Sequence, residues 1–173
     1  MAFNILKPYN PNKSILDKSN GINNIPFTEI DTDGYYGPKF TGAVVVIPAI
    51  GTKKIWDLDN IVDSSIETEW ASVGLGIRFG LDKNQTLIAL SNDNLSLVES
   101  LIYQRPSKHD TILFWYSEIQ KMIKETMGFK IRWVPRENNR AGRGPEYEEI
   151  YQSHFIYKSP THNGRSHDTV WRR

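Results

Sequence analysis

A chain of 173 residues with 39% apolar residues and five tryptophans can bury one sizeable core, and its net charge of +1 gives no whole-molecule attraction to nucleic acid. It has no cysteine, which excludes disulfides, thiolate metal sites and cysteine nucleophiles. No apolar run approaches the roughly 20 residues of a membrane helix, and the Asn/Lys/Pro-rich start has no signal-peptide core, so a soluble intracellular protein, cytoplasmic by default, is expected.

Residues 1–24, with Asn4, Asn10, Asn12, Asn20, Asn23 and Asn24, read as a polar arm. The stretch 25–48 organises the rest of the chain. Phe27, Glu29, Asp31 and Asp33 alternate with Thr28, Ile30 and Thr32, the period of an extended chain. Asp33-Gly34 is read as the end of that strand. Gly37 and Pro38 break the pattern, and Phe40 to Ile47 forms a second, β-branched strand. Lys53 to Leu58 predicts a third.

Ser64 or Ser65 caps a helix predicted to begin near Ile66 and stop at Gly80, with Trp70, Val73 and Ile77 on one face and Gly74 allowing close packing. Thr86 to Leu90 is almost wholly apolar, as expected of a central strand covered on both faces. Leu95 to Tyr103 reads as a helix. Asp110 is placed as the cap of a longer helix through Met127, ended by Gly128, with Ile112, Phe114, Ile119, Met122 and Ile123 inward. Phe129 to Val134 alternates as a strand. Pro135 to Pro145 is a polar loop, Glu146 to Phe155 a short helix, and 158–173 a basic tail, so one domain spans 25–157. The order β-β-β-α-β-α-α-β-α implies an α/β fold with a mixed sheet and helices on its faces.

Three carboxylates fall at comparable places. Asp33 and Asp93 lie at strand ends, and Glu69 lies in the first turns of the helix between them. Brought together they repel and raise one another's pKa. Divalent cations relieve this, and Mg²⁺ prefers such oxygen donors and keeps phosphate oxygens in its shell. The cluster therefore points to metal-assisted phosphoryl chemistry. Each acid alone also fits a turn, a helix-dipole partner or a helix cap.

The words around these acids resemble type 1 ribonuclease H. Thr32-Asp33-Gly34 with Gly42-Ala43-Val44-Val45 is similar to its first hairpin, and Thr68-Glu69-Trp70-Ala71 to its first helix. Asn92-Asp93-Asn94-Leu95-Ser96-Leu97-Val98 is similar to its fourth strand and the residues after it. Trp133-Val134-Pro135-Arg136-Glu137-Asn138-Asn139-Arg140-Ala141 is similar to the passage into its last loop. The resemblance spans about residues 26–150 and implies a ribonuclease H-like five-stranded mixed sheet, order 3-2-1-4-5, flanked by helices. It further implies hydrolysis of the RNA strand of RNA–DNA hybrids, with Asp33, Glu69 and Asp93 binding two Mg²⁺ (or Mn²⁺) ions and Asp33 bridging them. One ion would activate water, the other would stabilise the departing 3′ oxygen, and the product would carry a 5′-phosphate.

The pattern is not complete. The position of the family's fourth acid holds Arg143, whose charge at about 6 Å would oppose an ion by roughly 3 kcal/mol per unit charge. Glu146 is the candidate catalytic acid to fill that place. The loop lacks the family's histidine, and residues 104–109 are too short for a basic handle helix. Nucleic-acid contacts are expected from Asn94, Lys130, Arg132, Arg136, Asn139, Arg140 and Arg143. Two other readings keep the fold: a domain that binds nucleic acid or a protein without cutting, motivated by Arg143, and a related DNA nuclease or resolvase.

Overall fold

The structure is a computed structural model and describes residues 16–17 and 26–143. Its elements are β1 (Leu16–Asp17), β2 (Thr28–Tyr36), β3 (Thr41–Ile47), β4 (Thr52–Asp57), α1 (Ser65–Asp82), β5 (Leu87–Asn92), α2 (Leu95–Ile102), α3 (Asp110–Glu125) and β6 (Gly128–Trp133). Short 3-10 turns occupy Pro48–Ile50, Arg136–Asn138 and Arg140–Arg143.

β2, β3 and β4 form an antiparallel meander. β5 then pairs parallel with β2, and β6 parallel with β5. Parallel neighbours need crossovers, which α1 provides for the first pair and α2 with α3 for the second. The order is β1-β6-β5-β2-β3-β4. Without β1 this is the expected five-stranded 3-2-1-4-5 sheet. The addition is β1, a two-residue strand from the segment read as an arm. It lies antiparallel on the β6 edge, Leu16 opposite Ile131 and Asp17 opposite Lys130.

The main core lies between the sheet and the helices. Ile30 of β2, Ala43, Val45 and Ile47 of β3, and Ile88 and Leu90 of β5 meet Trp70, Val73 and Ile77 of α1, Leu101 of α2 and Ile119 of α3. Alternation sends Val44 of β3 to the other face, where it packs with Ile55 and with Ala141 from the last turn.

Several glycines do different work from that expected. β2 runs through Gly34 to Tyr36, so Asp33-Gly34 lies within the strand. α1 continues past Gly80 to Asp82. A Cβ on Gly80 would stand 2.7 Å from Ile30 Cδ1, so its bare backbone serves packing against the sheet. Gly128 opens β6, while α3 ends at Glu125 with Thr126 already extended. His109, not Asp110, occupies the N-cap position of α3, without a side-chain cap. On α3 it is Trp115 that is fully buried, beneath Gly74, whereas Phe114 is half-buried.

Candidate metal centre

β2 carries an acidic column. Glu29, Asp31 and Asp33 alternate with the core-facing Ile30, so they share the face turned away from the main core. Two are neutralised by arginines far along the chain. Arg140 binds Asp31 through a short Nε contact and a backbone amide at 3.3 Å. It reaches Glu29 at 2.8 Å, and Arg132 reaches Glu29 at 3.3 Å. Asp33 differs. It is fully buried, and among the described residues no arginine reaches it at hydrogen-bond distance.

Glu69 approaches Asp33 because Gly34 lets α1 touch β2. A Cβ on Gly34 would stand 2.5 Å from the Glu69 nitrogen. The Gly34 amide donates to Glu69 Oε2 at 3.3 Å. Glu69 lies one turn beyond the start of α1, where Ser64 accepts from the Glu67 amide at 3.3 Å. Glu67 points elsewhere and accepts from the Asp63 amide at 2.9 Å. Asp93 follows β5, and Trp133 Nε1 donates to its backbone carbonyl at 2.9 Å. One carboxylate oxygen from each of Asp33, Glu69 and Asp93 lies within 4.8 Å of the others.

The charges show the strain of this arrangement. Burial pushes the Asp33 carboxyl up to about 6, and the Asp93 charge adds to it, while the nearby Tyr35 hydroxyl and then the Arg136 charge oppose. Burial and the Asp33 charge push Glu69 up to about 8, against the hydrogen bonds from Asn92 and Gly34. By contrast, Arg140 holds Glu29 below the usual carboxylate range. All-oxygen donors, mutual repulsion and the full burial of Asp33 fit a hard divalent cation.

A family model described as reverse transcriptase-like matches residues 58–143, which hold Glu69 and Asp93. Among solved structures, RNase H1 from the halophilic archaeon Halobacterium salinarum superposes with a TM-score of 0.56 at 14% identity, covering 67% of this chain and 91% of that one. The N-terminal RNase H domain of a Mycobacterium tuberculosis protein gives a TM-score of 0.51 at 18% identity, covering 67% and 92%. The chain has the ribonuclease H-like fold. None of the curated protein sequences compared with it matches.

The ribonuclease H-like frame places the other candidates unequally. Arg136 reaches the acids, with Nη2 at 3.9 Å from Asp33 Oδ2 and Nη1 at 3.8 Å from Asp93 Oδ2. Asn94 caps α2, accepting from the Leu97 amide at 3.1 Å. Asn139 is buried and donates to the Thr32 carbonyl at 3.0 Å. Lys130 lies 4.3 Å over the Phe27 ring, and Arg132 donates to Ser91 at 3.0 Å. Arg143 closes the last turn; its side chain, and the whole of Glu146, lie outside the described residues. His109 is exposed at the start of α3. No helix among the described residues is long and apolar enough to cross a membrane.

Two contributors escaped the sequence reading. Asn92 is fully buried, and its amide nitrogen donates to the Thr32 carbonyl at 3.1 Å and to Glu69 Oε2 at 3.3 Å. Its oxygen accepts from the Asn94 amide at 2.8 Å. Gly142 lies over the site, where a Cβ would stand 3.6 Å from Asp33 Oδ2. In the sequence Asn92 directly precedes Asp93, and an amide next to a candidate ligand is the signal the chain carries for it.

Proposed function

We propose that the protein is a metal-dependent endonuclease that hydrolyses the RNA strand of RNA–DNA hybrids, with Asp33, Glu69 and Asp93 holding two Mg²⁺ or Mn²⁺ ions. One observation carries this reading: three acids from β2, α1 and the end of β5 converge within 4.8 Å, with Asp33 fully buried among them. The names of the two structural neighbours, RNase H1 and an RNase H domain, support the choice of substrate. Bound ions would supply Lewis-acid stabilisation and an activated water for attack on a phosphodiester.

The chain's own part is to position and shield. Asn92 and Gly34 hold Glu69 Oε2. Trp133 holds the backbone at Asp93. The turn through Gly142 lies over Asp33, which is fully buried. Glu146 would serve as the fourth acid. The minor groove of a hybrid, with 2′-hydroxyls on one strand only, would identify the strand to be cut.

The test is a cleavage panel over hybrid, duplex RNA, duplex DNA and single strands with Mg²⁺ or Mn²⁺. Hybrid cleavage that disappears in Asp33→Asn and in Asp93→Asn is expected. Metal-dependent activity that survives both substitutions overturns the mechanism, and a preference for duplex DNA selects a related DNA nuclease. A second reading has its own observation. Arg136 stands beside both Asp33 and Asp93, and an arginine holds position 143. These cations favour a domain that binds nucleic acid or a protein without cutting. Intact hybrid binding with no calorimetric Mg²⁺ binding selects it.

A further inference from the structure

Arg136 differs from the other arginines on its face. Arg132 and Arg140 are held at hydrogen-bond distance by Glu29, Asp31 and Ser91. The Arg136 guanidinium instead spans Asp33 and Asp93 at 3.9 and 3.8 Å, beyond hydrogen-bond reach, from a side chain that is 65% exposed. The chain that carries it is anchored on its far side. Asn139 is buried against Thr32, and Arg140 is bound to Asp31. The guanidinium can therefore leave the acids for solvent without unseating the turn.

The two carboxylates it spans are two of the three assigned above to metal, so a role for this arginine rests on that assignment. We propose that Arg136 is an exchangeable counter-ion: its guanidinium and an incoming divalent cation compete for Asp33 and Asp93, and metal entry requires the arginine to swing outward. The energetic asymmetry favours exchange. A loose, half-solvated ion pair contributes little. A divalent ion brings twice the charge to three converging carboxylates, of which Asp33 is fully buried. The arginine thus balances the cluster between metal occupancies and raises the metal concentration needed to fill it.

The experiment is calorimetric titration of MnCl₂ into the full chain. The proteins are wild type, Arg136→Gln, Arg136→Met and Arg136→Lys, with Asp33→Asn as control and melting curves to establish folding. Both neutral variants are expected to bind Mn²⁺ roughly three- to fivefold more tightly than wild type, the upper scale of an exposed ion pair. The lysine variant, which keeps a point charge, should stay within about twofold of wild type. Unchanged or weaker binding in the folded neutral variants overturns the proposal while leaving the metal site intact. If no variant binds Mn²⁺, or Asp33→Asn binds it as wild type does, the metal reading itself fails and the competition falls with it.

Discussion

The amide of Gly34 donates to Glu69 Oε2 at 3.3 Å, and a Cβ on Gly34 would stand 2.5 Å from the Glu69 nitrogen. The closeness of β2 and α1 at this point is what brings Asp33 and Glu69 into one cluster. Gly34→Ala must therefore push the first turns of α1 away from the sheet. The expected cost is at least about 2 kcal/mol, the scale of an overpacked interior. Because Glu69 moves with its helix, Mn²⁺ affinity should fall along with the denaturation midpoint. A Gly34→Ala protein with wild-type stability and metal affinity would show that this contact does not set the site.

Asn92 joins three parts of the centre: the Thr32 backbone, the Glu69 carboxylate and the Asn94 amide. Asn92→Leu keeps the approximate volume and deletes every one of these bonds. Buried groups left unpaired should destabilise the fold by about 1–3 kcal/mol, read as a lower urea midpoint with an unchanged slope. Glu69 loses a donor that holds one oxygen, so Mn²⁺ binding should weaken too. Wild-type metal affinity in a folded Asn92→Leu protein would reduce Asn92 to a strand anchor.

What could be read from the chain and what could not divide along physical lines. The alternation of Glu29, Asp31 and Asp33 with Thr28, Ile30 and Thr32 is local, and it placed β2 and its acidic face. The apolar run Thr86–Leu90 gave the buried strand for the same reason. The choice between acids on one face was not local. Asp31 and Asp33 look alike in sequence, yet Asp31 is bound by Arg140, which lies 109 residues away, and Asp33 is not. Glycine was ambiguous in a similar way. Gly34 and Gly80 read as breaks, because sequence shows the missing side chain but not the neighbour that needs the space. Arg132 and Arg140 read as free cations for a phosphate backbone, since a formal charge does not reveal a carboxylate already paired with it.

The Arg140 anchor predicts a stability effect distinct from chemistry. Arg140→Met leaves Asp31 buried and uncompensated. Breaking a fully buried pair costs several kcal/mol. Here the arginine side chain is 39% exposed, so about 1–3 kcal/mol is expected. Asp31→Asn combined with Arg140→Met should recover part of that loss, because no buried charge is stranded. A double-mutant cycle by chemical denaturation measures the coupling. Additive losses in the cycle would mean that the last turn is held by Asn139 and Ala141 alone.

The raised carboxyls predict how stability depends on pH when chelator keeps metal away. Asp33 stands at about 6 and Glu69 at about 8 in the folded protein. Unfolded, such groups titrate near 4. The folded state thus binds protons more tightly than the unfolded state. Its advantage from these groups is complete below about pH 4, and it is lost as pH rises through about 6 for Asp33 and about 8 for Glu69. Glu29, held low by Arg140, acts in the opposite sense, and only at more acid pH. Between pH 5 and 8.5 in EDTA, stability should fall by roughly 5 kcal/mol, or about 10–20 °C in melting temperature. Asp33→Asn removes one buried charge and relieves Glu69, so its melting curve should vary less with pH and lie above wild type at pH 8.5. Saturating Mn²⁺ should flatten the wild-type profile and leave the Asp33→Asn profile almost unchanged. A wild-type melting temperature that rises from pH 5 to 8.5 in EDTA would contradict the raised carboxyls and the electrostatic case for a cation at this site.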